Sequence, residues 1–374
     1  MTVVFWLCAA LVVFTYAGYP LWMWLLSRLA ARPVRPDPDA ALPAVTVVLP
    51  VHDGATMVEA KLRNLLALDY PTDRLEVVVA CDGCSDASAA LARGIGDPRV
   101  RVLEFTGRRG KAACLNDAVE AATGDVLLMV DVRQRIEPGA LRALVAHLSD
   151  PAVGAVGGQL RFEDPGTGFA ASVDAYWRYE SAIRLTEART GSVVGVSGAL
   201  YALRRDLFRP LPADTVLDDV LVPMQVAATG ARVTWQPDAV AWDHASGSAS
   251  GERVRKVRTL AGNLQLVQLA PWLLDPRRNP LWFRFLGHKL LRLAAPWAIA
   301  LLCVASAVLA RDHVFYLACT MAALVGIALV ATAPHLPALA ALAPVRMLVA
   351  FVHMNLFAAQ AAFAFARGRG LHLW

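Results

Sequence analysis

The stretch TGDVLLMVDVRQ, residues 123–134, decides the fold of this chain. Five consecutive apolar residues, 126–130, stand between a Gly-Asp pair and a polar cluster, which is typical of a buried strand in a parallel sheet. The run ends on Asp131. Because ligands of open α/β sheets bind beyond the carboxyl ends of the strands, Asp131 is predicted to face a ligand. Taken alone, a capping or turn aspartate is the alternative interpretation.

The segments before this stretch alternate between strand and helix patterns. Short apolar runs predict strands at 45–50, 75–80 and 100–104, and apolar periodicity predicts helices at 58–68, 87–93 and 112–122. This alternation predicts a doubly wound, mostly parallel sheet. Beyond the stretch, the patterns predict helices at 139–148, 168–188 and 222–228, and strands at 153–160 and 200–203.

The apolar residues, 57% of the chain, are concentrated at its two ends. Residues 3–26 carry no charge and are long enough to span a bilayer, and the missing basic start disfavours a signal peptide. Three more candidate spans lie at 290–310, 314–332 and 347–366. Arg28, Arg32 and Arg35 follow the first span, so the positive-inside rule places the next segment in the cytoplasm. The sequence predicts a multi-pass protein of the cytoplasmic (inner) membrane with a cytoplasmic catalytic domain.

The predicted domain organisation follows from these patterns. Its parts are a transmembrane helix at 1–27, a proline-rich linker at 28–43, an α/β domain at 44–250, amphipathic interface helices at 251–288 and about three transmembrane helices at 289–374. One span before the domain and three after it put the C-terminus outside, whereas Arg367 and Arg369 argue for inside. A re-entrant segment at 333–344 or one interfacial helix would reconcile the two.

Charge and cysteine spacing exclude several functions. The net charge of +5 is modest and stands mostly beside the membrane segments, which favours membrane lipids over nucleic acid as a partner. The C-x-x-C at 81–84 has no second ligand pair, so a zinc site is not predicted. G-x-G-x-x-G and P-loop patterns are absent. Two predicted strands end on carboxylates, Asp82 and Asp131, with a basic loop between them, and such a crevice suits a nucleotide.

Six motifs, in this order, resemble the membrane-bound family 2 glycosyltransferases, which include cellulose, hyaluronan, chitin and poly-N-acetylglucosamine synthases. The motifs are VTVVLPVHD (45–53), CDGCSD (81–86), GKAACLN (110–116), GDVLLMVD (124–131), SGA (197–199) and LDD (217–219). The resemblance covers roughly residues 44–295 and implies an α/β GT-A fold of Rossmann-like type. It also implies a UDP-sugar donor, a divalent metal and inversion at the anomeric carbon.

The resemblance also implies roles for individual residues. Asp219 would be the catalytic base that takes the acceptor proton, and Asp131 would bind Mg²⁺ or Mn²⁺. The donor site would comprise Val51, His52, Asp53, Asp82, Lys111, Asp131 and Arg133, and the acceptor site Ser197, Gly198, Asp218, Arg255 and Arg258. These residue types suit the chemistry, because a departing diphosphate needs cations and an acceptor hydroxyl needs a base within hydrogen-bond reach.

The chain departs from the family pattern at three places. Arg133 replaces the second acid of D-x-D, so that either Asp131 binds the metal alone, Arg133 serves the phosphates, or Arg133 points to solvent. The Q-x-x-R-W motif keeps only its arginine, Arg258, and Thr259 replaces the tryptophan that stacks on the acceptor sugar in the family. Gly54 replaces an acid after the first strand. Other tryptophans that would serve as the sugar platform are Trp177, Trp235 and Trp242.

Three functions are consistent with these observations. The first is an inverting glycosyltransferase that extends a glycan and, because four spans are few for a pore, works as a homo-oligomer or with an accessory subunit. The second is transfer of one sugar to a lipid carrier, which the missing tryptophan favours. The third is a non-catalytic, nucleotide-sugar-binding assembly subunit, which the broken D-x-D allows and the retained acids disfavour.

Overall fold

The computed structural model describes residues 1–163, 169–244 and 249–368. Within these ranges, eight strands form one sheet around which the α/β domain is built. The strands are β1 (Val45–Val51), β2 (Leu75–Asp82), β3 (Val100–Phe105), β4 (Val126–Met129), β5 (Arg135–Ile136), β6 (Val153–Phe162), β7 (Tyr201–Arg204) and β8 (Arg232–Asp243). Their order across the sheet is β3-β2-β1-β4-β7-β6-β8-β5.

Helices cover both faces of this sheet and form the membrane part of the chain. In the described residues they are α1 (Thr2–Leu29), α2 (Val58–Leu66), α3 (Ser88–Gly94), α4 (Lys111–Glu120), α5 (Ala140–Leu148), α6 (Phe169–Arg189), α7 (Asp218–Ala228), α8 (Ala249–Leu269), α9 (Trp282–Leu309), α10 (Val314–His335) and α11 (Ala343–Ala366). Short helical turns lie at Thr72–Arg74, Arg205–Leu207, Pro271–Leu274 and Pro337–Ala340.

The first half of the sheet confirms the predicted α/β fold. Strands β3, β2, β1 and β4 are parallel, and every residue of β1 and β4 is buried. Continuous apolar strands are expected where helices cover both faces of a sheet. Gly124 precedes β4 where the backbone of β1 passes closest, and a β-carbon there would lie 2.6 Å from the Thr46 nitrogen. The chain order reverses between β1 and β4, which is where open α/β sheets bind ligands.

The second half of the sheet is mixed, and the sequence analysis missed part of it. β7 is antiparallel to both β4 and β6, and β5 is antiparallel to β8. The long strand β8 was not predicted, because Gln236-Pro237-Asp238 is a turn signal in its middle. The structure places this segment in a bulge: Gln236 pairs with Gly158, and the next pair is Val240 with Gln159.

Within the described residues, α1, α9, α10 and α11 are long and apolar enough to cross a membrane, as predicted. α1 packs along α9, which also contacts α10 and α11. From Val314 to Thr332, α10 has no fully buried side chain, so most of its surface outside the contacts with α9 and α11 is available to lipid. α9 begins at Trp282, eight residues before the predicted span. The charged residues of these first turns do not fit an apolar span, and in the structure they pack against α6. Arg369, which bore on the orientation of the C-terminus, lies outside the described residues.

Helix α8 connects the α/β domain to the membrane helices. It packs along α11, where the Arg253 guanidinium donates a hydrogen bond to Gln360 (3.0 Å). At Gly262 it lies directly on the domain, since a β-carbon there would be 2.7 Å from the Leu217 side chain. Leu217 directly precedes Asp218 and Asp219, the two acids at the start of α7. A shift of α8 would therefore be expected to move these acids as well.

Candidate active site

Three segments that are distant in sequence meet at the lysine that begins α4. The Lys111 ammonium lies 2.8 Å from Asp131 Oδ1 and 3.2 Å from Asp218 Oδ2. Asp131 comes two residues after β4, and Asp218 is the first residue of α7. The structure therefore brings the predicted phosphate-binding lysine, the predicted metal ligand and the first acid of the Asp-Asp pair into one cluster.

Gly198 forms the floor of this cluster and connects it to Asp219. A β-carbon at Gly198 would lie 3.2 Å from Lys111 Nζ, 3.5 Å from Asp131 Oδ2 and 3.8 Å from Asp219 Cβ. The neighbouring backbone is tied to α7, because the Val196 amide donates to the Asp219 carbonyl (2.9 Å). A side chain at position 198 would therefore press on the Lys111 ammonium and occupy space between the predicted metal ligand and the predicted base.

The two acids of α7 differ in their surroundings. Asp218 is buried and Asp219 is half-buried. Burial raises the pKa of Asp218 to about 6, even though the Lys111 ammonium opposes this shift. Burial acts to lower the pKa of Lys111, but the carboxylates of Asp131 and Asp218 outweigh it and raise this pKa, so the ammonium stays charged. The cluster thus holds a permanent cation among carboxylates.

Helix α8 adds a second cation to the site. The charges that act on the half-buried Arg258 guanidinium include those of Asp218, Asp131 and Asp219. Arg255 lies one turn earlier on the same helix and is also half-buried. The retained arginine of the incomplete Q-x-x-R-W motif therefore lies within electrostatic range of the three aspartates.

The loop after β1 is held by hydrogen bonds to the C-D-G-C-S segment. His52 Nδ1 pairs with the Asp82 carbonyl (2.7 Å), and the Asp53 carboxylate accepts from the Ser85 amide (2.7 Å). Asp53 has a left-handed backbone with φ of 46°, a conformation that aspartate tolerates better than most residues. Hydrogen bonding from Ser85 lowers the pKa of Asp53. His52 and Asp53 are therefore fixed at the carboxyl end of the central strand.

Two predicted donor-site residues are buried and do not line this surface. Val51 is fully buried at the end of β1. Asp82 is also fully buried, and its two carboxylate oxygens accept the amides of Arg109 and Gly110 at 2.8 Å each. Neither of these two side chains is accessible to a nucleotide in this structure. Asp82 instead fixes the loop that presents Lys111.

Arg133 also differs from the sequence expectation, because it has a protein partner. Its guanidinium forms an ion pair with Asp243 at the end of β8, and the same carboxylate oxygen accepts from Gln134 Nε2 (3.0 Å). Asp243 is 1% exposed and Arg133 44%. Arg133 therefore neutralises a buried acid, and its charge is not available in full to phosphates. Sequence analysis missed Asp243 because it missed the strand that carries it.

Lys61 is a second residue that sequence analysis missed. It lies on α2 beneath the segment that follows Asp131, is 3% exposed, and donates to the Gln134 carbonyl (2.6 Å). Burial lowers its pKa to about 7, against the opposing charge of Asp131. The signal in the sequence is a lysine on the apolar face of a helix, between Val58 and Leu65.

Three tryptophans were suggested as a sugar platform, and the structure describes the side chains of two of them, Trp235 and Trp242. Both have other partners. Trp235 is in the core, with the Arg184 guanidinium 5.0 Å from its ring. The Trp242 indole donates to the carboxylate of Glu137, which directly follows the edge strand β5. The side chain of Trp177 lies outside what the structure describes. The stacking function that Thr259 lacks is therefore not supplied by Trp235 or Trp242.

The residues at Asp131 fit a hard divalent cation. Its Oδ1 pairs with Lys111, while Oδ2 is directed towards the space above Gly198. One protein carboxylate is sufficient for Mg²⁺ or Mn²⁺ when substrate phosphates and water complete the coordination. A different group, His52, Asp53 and Cys84, brings nitrogen, oxygen and sulfur atoms within 4.8 Å of one another, but the Asp53 carboxylate is already engaged by Ser85.

Comparison with known proteins identifies the family. The family described as "Glycosyltransferase like family 2" matches residues 43–261, more than half of the chain. The chain belongs to this family. It is 30% identical over 230 residues to an N-acetylglucosaminyltransferase of Rhizobium meliloti, covering 57% of this chain and 53% of that protein. It is 23% identical to a poly-β-1,6-N-acetyl-D-glucosamine synthase of Staphylococcus aureus, covering 60% and 56%.

One solved structure resembles this glycosyltransferase along its whole length. It is a mannosyltransferase of Pyrobaculum calidifontis in complex with GDP-mannose and Mn²⁺, with a TM-score of 0.74, 27% identity and coverage of 98% of this chain and 99% of that one. The GT-A architecture with its membrane helices is thus shared with a known enzyme. The chain spans only about half the length of the two curated relatives.

Proposed function

We propose that this family 2 glycosyltransferase transfers a sugar, with inversion, from a nucleotide sugar to a hydroxyl of a membrane-associated acceptor. The observation that carries the proposal is the cluster of Lys111, Asp131 and Asp218, with Asp219 across Gly198. An inverting displacement needs a charge-stabilised leaving group on one side of the anomeric carbon and a base on the other. The cluster offers cationic and metal-binding groups next to an accessible carboxylate.

In this mechanism each side chain has one task. Lys111 and Arg258 hold the negative charge that builds on the departing diphosphate, and His52 and Asp53 bind the nucleoside. A divalent metal, Mg²⁺ or Mn²⁺, bound by Asp131 would supply additional positive charge at the diphosphate. Asp219 accepts the proton of the acceptor hydroxyl, and buried Asp218 positions Lys111. One displacement gives one inversion.

We propose a UDP-sugar as the donor, with N-acetylglucosamine as the first sugar to test. The names of the two curated relatives, an N-acetylglucosaminyltransferase and a poly-N-acetylglucosamine synthase, support this choice. The full-length structural relative was solved with GDP-mannose, so GDP-mannose is the second donor to test. Mn²⁺ accompanies the donor in that structure, which supports a divalent metal in this chain.

We further propose that the acceptor is a lipid-linked glycan that receives one sugar at a time at the cytoplasmic face. Thr259 in place of the stacking tryptophan, together with the engaged Trp235 and Trp242, supports single transfer. Arg28, Arg32 and Arg35 support the cytoplasmic side. Extension of a polysaccharide, by a homo-oligomer or with an accessory subunit, is the second candidate, because a curated relative is a polysaccharide synthase.

The test is a donor screen with the purified full-length protein in lipid nanodiscs that contain a membrane lipid extract. Radiolabelled UDP- and GDP-sugars are supplied with Mn²⁺, and products are sized. A single lipid-soluble product supports the proposal, and a ladder supports the polysaccharide candidate. Asp219→Asn is expected to lower turnover by about 10²- to 10⁴-fold without changing nucleotide affinity. The matched control is Asp214→Asn, an exposed acid on the preceding loop. Nucleotide binding without turnover would instead show a non-catalytic subunit.

A further inference from the structure

Three side chains that can bind metals meet at the carboxyl end of β1. They are the imidazole of His52, the carboxylate of Asp53 and the thiol of Cys84, whose ligand atoms all lie within 4.8 Å of one another. His52 Nε2 is 3.6 Å from Asp53 Oδ2. Nitrogen and oxygen ligands of one tetrahedral zinc ion are about 3.4 Å apart, so small side-chain rotations would bring this group onto one ion.

The backbone holds His52 in the form that binds metals. Its Nδ1 lies 2.7 Å from the carbonyl oxygen of Asp82, and a carbonyl can only accept, so Nδ1 carries the proton. In the neutral ring the lone pair is then on Nε2, the atom that faces Asp53. A hydrogen bond from the other ring nitrogen to a backbone carbonyl is a usual support of a metal-binding histidine.

The loop that carries Cys84 also holds Asp53. Oδ1 of Asp53 accepts from the Ser85 amide (2.7 Å), and the Ser85 hydroxyl lies 3.1 Å from both carboxylate oxygens. A hydroxyl donates one proton and can rotate, so Ser85 supports the carboxylate without blocking Oδ2. The Cys84 thiol is half-buried. Sequence analysis missed this group because it considered Cys84 only together with Cys81, which is fully buried in β2.

We propose that His52, Asp53 and Cys84 bind one Zn²⁺ ion, and that this ion excludes the donor nucleoside from the site. One nitrogen, one oxygen and one sulfur ligand suit Zn²⁺, whereas Mg²⁺ and Mn²⁺ prefer oxygen ligands. Three protein ligands leave the fourth position of a tetrahedral ion to water. Exclusion of the nucleoside rests on the proposed function, in which His52 and Asp53 bind it.

The proposal gives the enzyme two metal sites with opposite effects. Asp131 offers only oxygen and is assigned to the hard cation that assists departure of the diphosphate. The site at Cys84 includes a thiolate, which forms when the thiol releases its proton to solvent as the zinc–sulfur bond is made. Zn²⁺ is therefore expected to inhibit the enzyme in competition with the nucleotide, even when Mn²⁺ saturates Asp131.

The metal site is tested with Co²⁺ as a spectroscopic probe on the untagged full-length protein in detergent. The wild type is expected to show the visible bands of tetrahedral Co²⁺ and a thiolate-to-metal charge-transfer band, both removed by excess Zn²⁺. Cys84→Ser is expected to lose the charge-transfer band and to bind Zn²⁺ at least about 100-fold more weakly, because changing residues outside the ligand shell already costs about 10- to 100-fold. His52→Gln is expected to weaken Zn²⁺ binding similarly.

Two matched controls separate this site from its neighbours. Cys81→Ala removes the other cysteine of the C-x-x-C, and Asp131→Ala removes the proposed site of the hard cation. Both variants are expected to keep the Co²⁺ spectrum and the Zn²⁺ affinity of the wild type. The midpoint of thermal unfolding without metal verifies that each variant is folded.

Exclusion of the nucleoside is tested by calorimetric titrations of UDP and GDP in saturating Mn²⁺. At a Zn²⁺ concentration ten times its Kd, the apparent Kd of the nucleotide is expected to rise about tenfold in the wild type, as for two ligands that compete for one site. Cys84→Ser is expected to bind the nucleotide equally well with and without Zn²⁺. This variant also controls for Zn²⁺ that binds to the free nucleotide or at Asp131.

Several outcomes would overturn the proposal. A wild-type spectrum without the charge-transfer band, or equal Zn²⁺ affinity of wild type and Cys84→Ser, removes the metal site. Loss of the band in Cys81→Ala assigns the ion to the C-x-x-C pair instead. Bound Zn²⁺ that leaves nucleotide affinity unchanged refutes the exclusion of the nucleoside. The spectra need neither nucleotide nor turnover, so they decide the metal site even when the donor screen refutes the proposed function.

Discussion

Burial of Asp218 predicts how the stability of the protein changes with pH. The Lys111 ammonium only partly compensates the cost of burying the ionised carboxylate. Its pKa rises from an ordinary 3.8 to about 6. The folded protein therefore binds this proton more tightly than the unfolded chain, and stability falls as the pH rises through this window. The difference of roughly two pKa units corresponds to about 3 kcal/mol lost once Asp218 is ionised.

Asp218→Asn removes this ionisation and keeps a side-chain oxygen for Lys111. At pH 8 the variant is expected to be more stable than the wild type by about 3 kcal/mol, or on the order of 5 °C in the midpoint of thermal unfolding. At pH 5 the wild type is largely protonated in the folded state, and the advantage falls to about half. Lys111 retains its pair with Asp131 in both cases.

The assay is thermal unfolding of the detergent-solubilised protein, followed by intrinsic fluorescence at pH 5 and pH 8. Asp214→Asn, which removes an exposed carboxylate nearby, is the control and is expected to leave the midpoint unchanged at both pH values. A gain of equal size at pH 5 and pH 8, or a variant less stable than the wild type at pH 8, would refute the electrostatic reasoning. The first result would mean that the gain does not depend on ionisation of Asp218, and the second that the fold stabilises its ionised form.

Two further predictions concern the segment that follows β4. Asp131→Ala is expected to abolish the Mn²⁺-dependent part of nucleotide binding in calorimetric titrations with and without Mn²⁺; wild-type activity that survives a chelator unchanged would show that Asp131 holds no essential metal. Lys61→Met releases the Gln134 carbonyl from α2 and is expected to raise the Mn²⁺ concentration for half-maximal activity by about tenfold, with partial rescue by Lys61→Arg. An unchanged metal dependence would contradict this positioning role.

The part of the fold that sequence analysis predicted is the part specified by local patterns. β1 and β4 are continuous apolar runs, and the residues that follow them, His52, Asp53 and Asp131, were found because carboxyl ends of parallel strands share one edge. β8 was missed because its bulge contains proline. A local turn signal outweighed the strand pattern on each side of it, although sheet pairing accommodates the bulge in the folded chain.

The missed site residues have a common physical cause. Lys61 and Asp243 are buried charges whose partners are remote in sequence: 73 residues separate Lys61 from Gln134, and 109 separate Gln134 from Asp243. Their role in the fold depends on tertiary contacts, which cannot be read from the apolar periodicity of a helix or strand. Val51 and Asp82 show the opposite case. The motifs located them correctly at the carboxyl ends of β1 and β2, but did not reveal that their side chains are buried.

Arg133 shows how one departure from the family pattern is compensated within the fold. An acid at this position would lie against the buried Asp243 carboxylate, and two such charges without a cation are strongly unfavourable. Arg133 and Asp243 therefore form one ion pair, and we expect an acid at position 133 to destabilise the fold unless Asp243 is changed as well. This leaves Asp131 as the single carboxylate of that motif in the cluster. Among the residues that the structure describes, Lys111 and Arg258 are cations on which all three aspartates act, so we expect them to balance the charge of a bound diphosphate together with a metal at Asp131.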